Sequence, residues 1–141
     1  ASAKMQVLHR LLVRLKAEGH KVLIYSQFTG MLDIIEDYMR LCSNRYLRLD
    51  GSTSLARRKY EIALFNHPDS TVFAYLLSTR AGALGITLTG ADTVVMFDSD
   101  WNPTWDKQAH DRAHRIGQKR PVTVYQLCTH GAVEERVFHR A

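Results

Sequence analysis

The spacing of apolar residues along the chain changes repeatedly, and the changes predict helices that alternate with strands. Four leucines between positions 8 and 15 fall at helical spacing, and Gly19 stands where a helix would end. The next segment, 21–26, is an apolar run of strand length followed by turn-prone residues. Such a run is typical of a strand that is buried on both faces.

The same alternation continues to the end of the sequence. It predicts helices around 31–41 and 55–65, strands at 46–49, 72–77, 93–97 and 122–128, and a final helix that begins near Val133. Five strands separated by helices predict an α/β fold with a parallel sheet and helices on both faces.

Polar side chains follow four of the predicted strands. Ligands of parallel sheets gather at the carboxyl ends of the strands, and hydroxyls, glycine amides and arginines are the groups that hold phosphates there. The segments concerned are 26–27, 50–52, 78–82 and 98–103. The sequence therefore predicts a phosphate-binding edge, although each loop alone would be an ordinary turn.

The composition fits one domain with a polyanionic partner. The chain has 141 residues, of which 45% are hydrophobic, and a formal net charge of +5. A basic charge is also common in proteins that bind no polyanion.

Cys42 and Cys128 lie in apolar-rich segments without metal-ligand spacing, so we expect buried thiols in a reducing compartment. With no bilayer-length apolar run, we expect an intracellular chain with no membrane partner.

The segment Asp106–Gln118 places Arg112 and Arg115 one helical turn apart. Two adjacent guanidiniums repel each other unless they meet a dense anion, and the arginine fork suits the oxygens of a triphosphate. A solvated basic helix face is the alternative interpretation.

The same segment offers His110 and His114 four residues apart, which is a zinc-binding spacing. A zinc protease motif would have Glu at position 111, where this chain has the shorter Asp111. The neighbouring arginines would repel a cation, and no third ligand is evident. The zinc interpretation is therefore disfavoured.

These segments together resemble the SWI/SNF-like chromatin-remodelling ATPases, a branch of helicase superfamily two. The resemblance covers nearly the whole chain in the order of the family's motifs: 22–29 is similar to motif IV, 46–52 to the strand and turn after it, 76–88 to motif V, 98–103 to the next segment and 106–118 to motif VI. The runs 19–27 and 98–103 are most similar to the inositol-requiring (INO-type) subfamily.

Two residues of motif V depart from the family pattern. Ala83 stands where the family usually has a second glycine, and Thr87 where it commonly has asparagine. The methyl group of Ala83 disfavours positive φ, so phosphate binding is weakened if the loop needs that conformation.

The resemblance implies a RecA-like three-layer sandwich that forms the second of two motor lobes. Residues 1–141 would then be a helicase C-terminal lobe and a fragment of a larger protein. The sequence contains neither a Gly-x-x-x-x-Gly-Lys-Ser/Thr loop nor a magnesium-binding acidic motif. ATP and Mg²⁺ would be held mainly by the missing first lobe.

The resemblance also assigns roles at the nucleotide. Arg112 and Arg115 would act as arginine fingers on the γ-phosphate, and Gly85 would lie beside the nucleotide. Gln108 would orient the arginine helix or contact the phosphates, with a structural hydrogen bond as the alternative.

A second set of residues is expected at double-stranded DNA. Arg80 resembles a residue that contacts the DNA backbone, and Trp101 is expected at the minor groove, with a buried core position as its alternative. The full set is Ser26, Gln27, Ser78, Thr79, Arg80, Trp101 and Asn102.

The function implied is that of a nuclear, ATP-dependent DNA translocase that remodels nucleosomes within a complex of further subunits. A repair or recombination translocase on naked DNA is an alternative within the enzyme class. A catalytically inactive DNA-binding or scaffold module is an alternative outside it, and the retention of both arginines argues against that. An RNA helicase is disfavoured by the loop 98–103 and the segment 111–118.

Overall fold

The computed structural model describes residues 2–79, 88–98 and 121–138, which form one mixed sheet with three helices. The strands are β1 (Val22–Ser26), β2 (Tyr46–Leu49), β3 (Ala74–Ser78), β4 (Thr93–Met96), β5 (Val122–Leu127) and β6 (Val133–Phe138). Their order in the sheet is β2-β3-β1-β4-β5-β6, and the first five run parallel. This confirms the α/β fold with five parallel strands.

The three helices cover both faces of the sheet. Helices α1 (Ala3–Ala17) and α2 (Thr29–Leu41) pack on one face, and α3 (Leu55–Asn66) packs on the other. Alternate residues of β1 join opposite cores: Ile24 lies with α1 and α2, and Tyr25 lies with α3. Because the residues on both faces of β1 are fully buried, its sequence is a continuous apolar run.

Helix α1 begins and ends with capping motifs that the sequence encodes. At its start, the amide of Met5 donates to the hydroxyl of Ser2 at 3.2 Å. At its end, Gly19 adopts a φ of +82°, and the amide of His20 donates to the carbonyl of Leu15 at 3.0 Å. This is a Schellman motif, and it confirms Gly19 as the residue that ends the helix.

The predicted final helix near Val133 is wrong, because this segment forms β6 antiparallel to β5. A tight turn brings the two strands together: the amide of Cys128 donates to the carbonyl of Ala132 at 2.9 Å, and Gly131 has a φ of +90°. Val133 and Val137 are four apart, which fits a helix, but they also share one face of a strand. Pairing along β5 supplies backbone hydrogen bonds that helical periodicity does not reveal.

The prediction of two buried thiols is also wrong. Cys42 is exposed and Cys128 is partly exposed, and both are free. Cys42 follows the last turn of α2. The buried stripe of that helix ends at Met39. The apolar residues that precede Cys42 in the sequence therefore do not make it buried, because burial depends on the side of the helix on which a residue lies.

Among the helices of the described residues, none combines the length and apolar character needed to span a bilayer.

A glycine packs the turn before β4 against the end of α3. The amide of Gly90 donates to the side-chain oxygen of Asn66 at 2.9 Å. A Cβ at this position would lie 2.9 Å from the carbonyl oxygen of Phe65 and 3.1 Å from the Cα of Asn66. The ammonium of Lys21 donates to the same Phe65 carbonyl, so this contact has little room to shift.

Gly90→Ala should therefore destabilise the chain by about 1–3 kcal/mol, the range typical of overpacking against atoms that cannot move away. The measurement is the urea midpoint at an unchanged m-value. Gly30→Ala is the matched control, because its Cβ would meet nothing within 4 Å. A midpoint for Gly90→Ala that equals the control would contradict the close packing.

Candidate phosphate-binding cleft

Three loops meet in one cleft at the carboxyl edge of the sheet. The cleft has a volume of about 610 Å³ and is lined by residues that follow three adjacent strands: Gln27, Phe28, Thr29 and Gly30 after β1, Gly51 after β2, and Ser78 and Thr79 at the end of β3. Because β2, β3 and β1 are parallel neighbours, their carboxyl ends converge. The described residues of three of the four predicted polar loops therefore meet at this edge.

A carboxylate after β4 ties two strand ends together. The hydroxyl of Ser26 donates to Asp98 Oδ2 at 2.6 Å, and the amide of Gln27 donates to Asp98 Oδ1 at 2.9 Å. The side-chain amide of Gln27 also donates to the carbonyl of Asp98 at 3.0 Å. Asp98 therefore fixes the geometry of the first loop of the cleft. Sequence reasoning placed Asp98 in a polar loop but missed this role.

The predicted DNA-contacting residues differ in their access to the cleft. Ser26 is fully buried and Ser78 is 6% exposed, whereas Gln27 is exposed and Thr79 is partly exposed. The Ser26 hydroxyl is already committed to Asp98. Successive side chains of a strand point to opposite faces, so consecutive polar residues at a strand end point alternately into the protein and out of it.

The first turn of α2 opens onto the cleft without a capping side chain. Its N-cap residue is Phe28, which makes no side-chain cap bond, and the amide of Phe28 donates to Ser26 Oγ at 3.1 Å. Within the described part of the chain, the amides of Thr29 and Gly30 have no hydrogen-bond acceptor. Free amides and the positive end of the helix dipole make this turn suitable for an anion. The signal in the sequence is a helix start without Ser, Thr, Asp or Asn at the N-cap.

The turn after β2 is rigid because Asp50 organises it. Asp50 Oδ1 accepts from the hydroxyl of Ser52 at 2.6 Å and from its amide at 2.9 Å, and Asp50 Oδ2 accepts from Arg48 Nε at 3.0 Å. The Ser52 hydroxyl and, less strongly, Arg48 lower the pKa of Asp50, so this carboxyl is ionised at neutral pH. Gly51 is held in place between them.

Arg48 is committed to neighbouring carboxylates. Besides Asp50, its guanidinium contacts Asp33 at 2.5 Å and Glu36 at 3.1 Å. Arg48 therefore braces β2 against α2 and does not point a free cation into the cleft.

Several predicted site residues lie outside the described residues: Arg80, Gly85, Trp101, Asn102, Gln108, Arg112 and Arg115. The segments that carry them follow Thr79 and Asp98. Both of these residues lie at the carboxyl edge of the sheet. The histidine pair of the zinc alternative, as well as Ala83 and Thr87, also lies outside the described residues. Within 2–79, 88–98 and 121–138, no group of three His, Cys, Asp or Glu residues could hold a metal ion.

Comparisons with known proteins agree along nearly the whole chain. Residues 3–117 match the family model of the helicase conserved C-terminal domain. The chain is 56% identical to the chromatin-remodeling ATPase INO80 of Drosophila melanogaster over 99% of its length. It is 55% identical, over the same share, to the ISWI chromatin-remodeling complex ATPase ISW1 of Saccharomyces cerevisiae. These near-equal identities do not separate the subfamilies, so the INO-type assignment stays a prediction.

A solved structure shows the same architecture. The crystal structure of the C-terminal part of the Fun30 ATPase domain superposes with a TM-score of 0.81 at 42% identity, covering 88% of this chain and 40% of that one. The chain spans only 8% of the INO80 protein and 12% of the ISW1 protein. With the mostly parallel sheet and the matched residues 3–117, the chain belongs to the helicase conserved C-terminal domain family, in the form carried by SWI/SNF-like chromatin-remodelling ATPases.

Proposed function

We propose that this chain is the second RecA-like lobe of an ATP-dependent double-stranded DNA translocase that remodels nucleosomes. The observation that carries the proposal is the similarity to chromatin-remodelling ATPases over 99% of the chain, which includes the arginine segment 106–118. The cleft at the carboxyl edge supports the proposal, because the residues that line it offer donors that suit phosphate groups.

The nucleotide side of the lobe is assigned to the arginine segment. Arg112 and Arg115 reach across to a nucleotide held by the first lobe and stabilise the charge that develops on the γ-phosphoryl group. An arginine finger can raise the rate of phosphoryl transfer by about 10³–10⁵. Gly85 lies beside the nucleotide, and Gln108 orients the arginines or contacts the phosphates. Mg²⁺, held mainly by the first lobe, neutralises charge on the phosphates.

The DNA side is assigned to the cleft. The amides of Thr29 and Gly30, together with the exposed side chains of Gln27 and Thr79, supply neutral donors for backbone phosphates. The buried hydroxyls of Ser26 and Ser78 belong to the strand ends that position these donors.

The segments that follow Thr79 and Asp98 complete the DNA side. Arg80 adds a cation against the DNA backbone, and Trp101 with Asn102 contacts the minor groove. Because phosphate contacts carry no base information, binding is nonspecific and weakens with salt.

Motion follows from alternating closure of two lobes. Each cycle of ATP binding and release brings the two lobes together and separates them again. This shifts the DNA contacts of one lobe relative to those of the other along the DNA strand. We propose that the protein does this on nucleosomal DNA in the nucleus, together with further subunits of a remodelling complex.

The isolated 141-residue chain should not hydrolyse ATP, with or without DNA, because the nucleotide-holding half of the site is absent from it. Phosphate release from purified chain, measured at saturating ATP, tests this. Sustained turnover that copurifies with the chain would contradict the two-lobe site.

In a protein that contains both lobes, Arg115→Ala should abolish DNA-stimulated hydrolysis while leaving ATP binding largely intact, because the finger acts on the transition state. Lys is the matched replacement, since it keeps the charge but loses the bidentate fork. Stimulated turnover equal to the wild type would refute the finger role.

Gly30→Asp should weaken DNA binding without harming the fold. A carboxylate in the first turn of α2 stabilises the helix by about 0.3–1 kcal/mol, yet it repels a phosphate at the same amides. The Cβ of residue 30 has open space around it. Fluorescence anisotropy with duplex DNA at low salt measures the affinity.

Gly30→Asn is the control, because it has the same shape without the charge. A loss of affinity in Asp but not in Asn supports the phosphate site. Equal affinity of both variants and the wild type would remove this turn from the DNA interface.

A further inference from the structure

Helices α1 and α2 leave a furrow between them at the protein surface. Two hollows lie along it, of about 340 Å³ and about 300 Å³, and both are lined by Tyr38. The first hollow is lined by Met5, Gln6, His9, Arg10 and Tyr38, and the second by Leu12, Val13, Lys16, Ala17, Tyr38, Cys42 and Asn44. The phenol of Tyr38, which bonds to His9 Nδ1 at 2.6 Å, separates the two.

The spacing of the hollows matches an α-helix. The residues of α1 that line them are centred about seven positions apart, which is a distance of roughly 10 Å at 1.5 Å per residue. Side chains at i and i+7 of a second helix laid along the furrow have the same spacing. Helices dock into grooves with apolar anchors at such intervals.

The surface around the furrow is apolar and open. Val13 is 56% exposed, and on α2 Ile34 and Leu41 are 50% and 86% exposed. Ile34, Tyr38 and Leu41 are spaced four and three residues apart, so they share one side of α2. Apolar side chains this exposed on two adjacent helices indicate a surface that a partner covers.

The charges beside the furrow are positive. Helix α1 contains no carboxylate between Ala3 and Ala17, and Arg10 and Lys16 line the hollows. Within residues 2–79, 88–98 and 121–138, neither of these cations forms a salt bridge; Lys16 donates to the neutral Asn44 side chain at 2.6 Å.

The acidic residues of α2 are engaged elsewhere. Asp33 and Glu36 contact Arg48, and Asp37 pairs with Arg40 at 3.3 Å. None of the three lines either hollow. The furrow therefore presents a positive rim beside an apolar floor.

We propose that the α1–α2 furrow binds an acidic amphipathic helix of a partner protein. Apolar side chains two turns apart on that helix fill the two hollows, and its flanking carboxylates meet Arg10 and Lys16. The furrow lies on α1 and α2 away from the carboxyl-edge cleft, so its occupant does not compete with DNA for the residues of that cleft.

The test uses the full-length protein and a synthetic helix of about 18 residues, long enough to span both hollows. The peptide carries leucines at i, i+4, i+7 and i+11 with glutamates between them. Its two controls are a peptide of the same composition without the apolar stripe and a peptide with lysines in place of the glutamates. Fluorescence anisotropy should show binding of the acidic striped peptide only, weakening as salt rises.

Two exposed residues of the furrow give the test variants. Val13→Glu and Lys16→Glu should each lower the affinity by at least about tenfold, equivalent to about 1.4 kcal/mol. Leu55→Glu is the matched control, because Leu55 is 70% exposed on α3 at the opposite face of the sheet. Unchanged DNA-stimulated hydrolysis in all three variants reports an intact fold.

Cys42 supplies a readout of the binding position. It lines the second hollow and is exposed, whereas Cys128 is partly exposed and directly follows β5. The bound peptide should slow alkylation of Cys42 by iodoacetamide and leave Cys128 unchanged, as measured by peptide mass spectrometry. Equal binding of the unstriped or lysine peptide, wild-type affinity in Val13→Glu, or no protection of Cys42 would each overturn the proposal.

Discussion

The burial of β1 on both faces is the constraint on which the rest of the structure depends. Five consecutive residues of this strand are fully buried, between β3 on one side and β4 on the other. A strand in this position has to pair on both edges and be covered by helices on both faces. The carboxyl ends of its neighbours then come to one edge, and the cleft forms where they meet.

The spacing of apolar residues predicts the helices that bury one face and the strands that are buried on both faces. The strand at 46–49 matches its predicted limits, and α1 ends just before Gly19 as predicted, because turn and capping residues mark these boundaries. The prediction for the segment from Val133 is wrong because Val133 and Val137, four residues apart, share one face both in a helix and in a strand. Its partner strand, which decides between them, is a nonlocal feature.

The candidate site shows a similar division. The polar loops gather at one edge because parallel pairing requires it, so their location is predictable. The direction of each side chain is not, because it depends on partners distant in sequence: Ser26 turns inward to Asp98, 72 residues further along the chain. The open first turn of α2 was missed because it is made of backbone amides, which a search for reactive side chains overlooks.

The contact between Gln27 and Asp98 has a mechanical consequence. Gln27 borders the cleft, and Asp98 is the last described residue before the segment 99–120 that carries the arginine pair. Two hydrogen bonds from Gln27, at 2.9 and 3.0 Å, join these places directly. One residue pair therefore couples the position of the loop after β1 to the point where the segment 99–120 begins. Asp98 is shared by both, because it also accepts from the hydroxyl of Ser26.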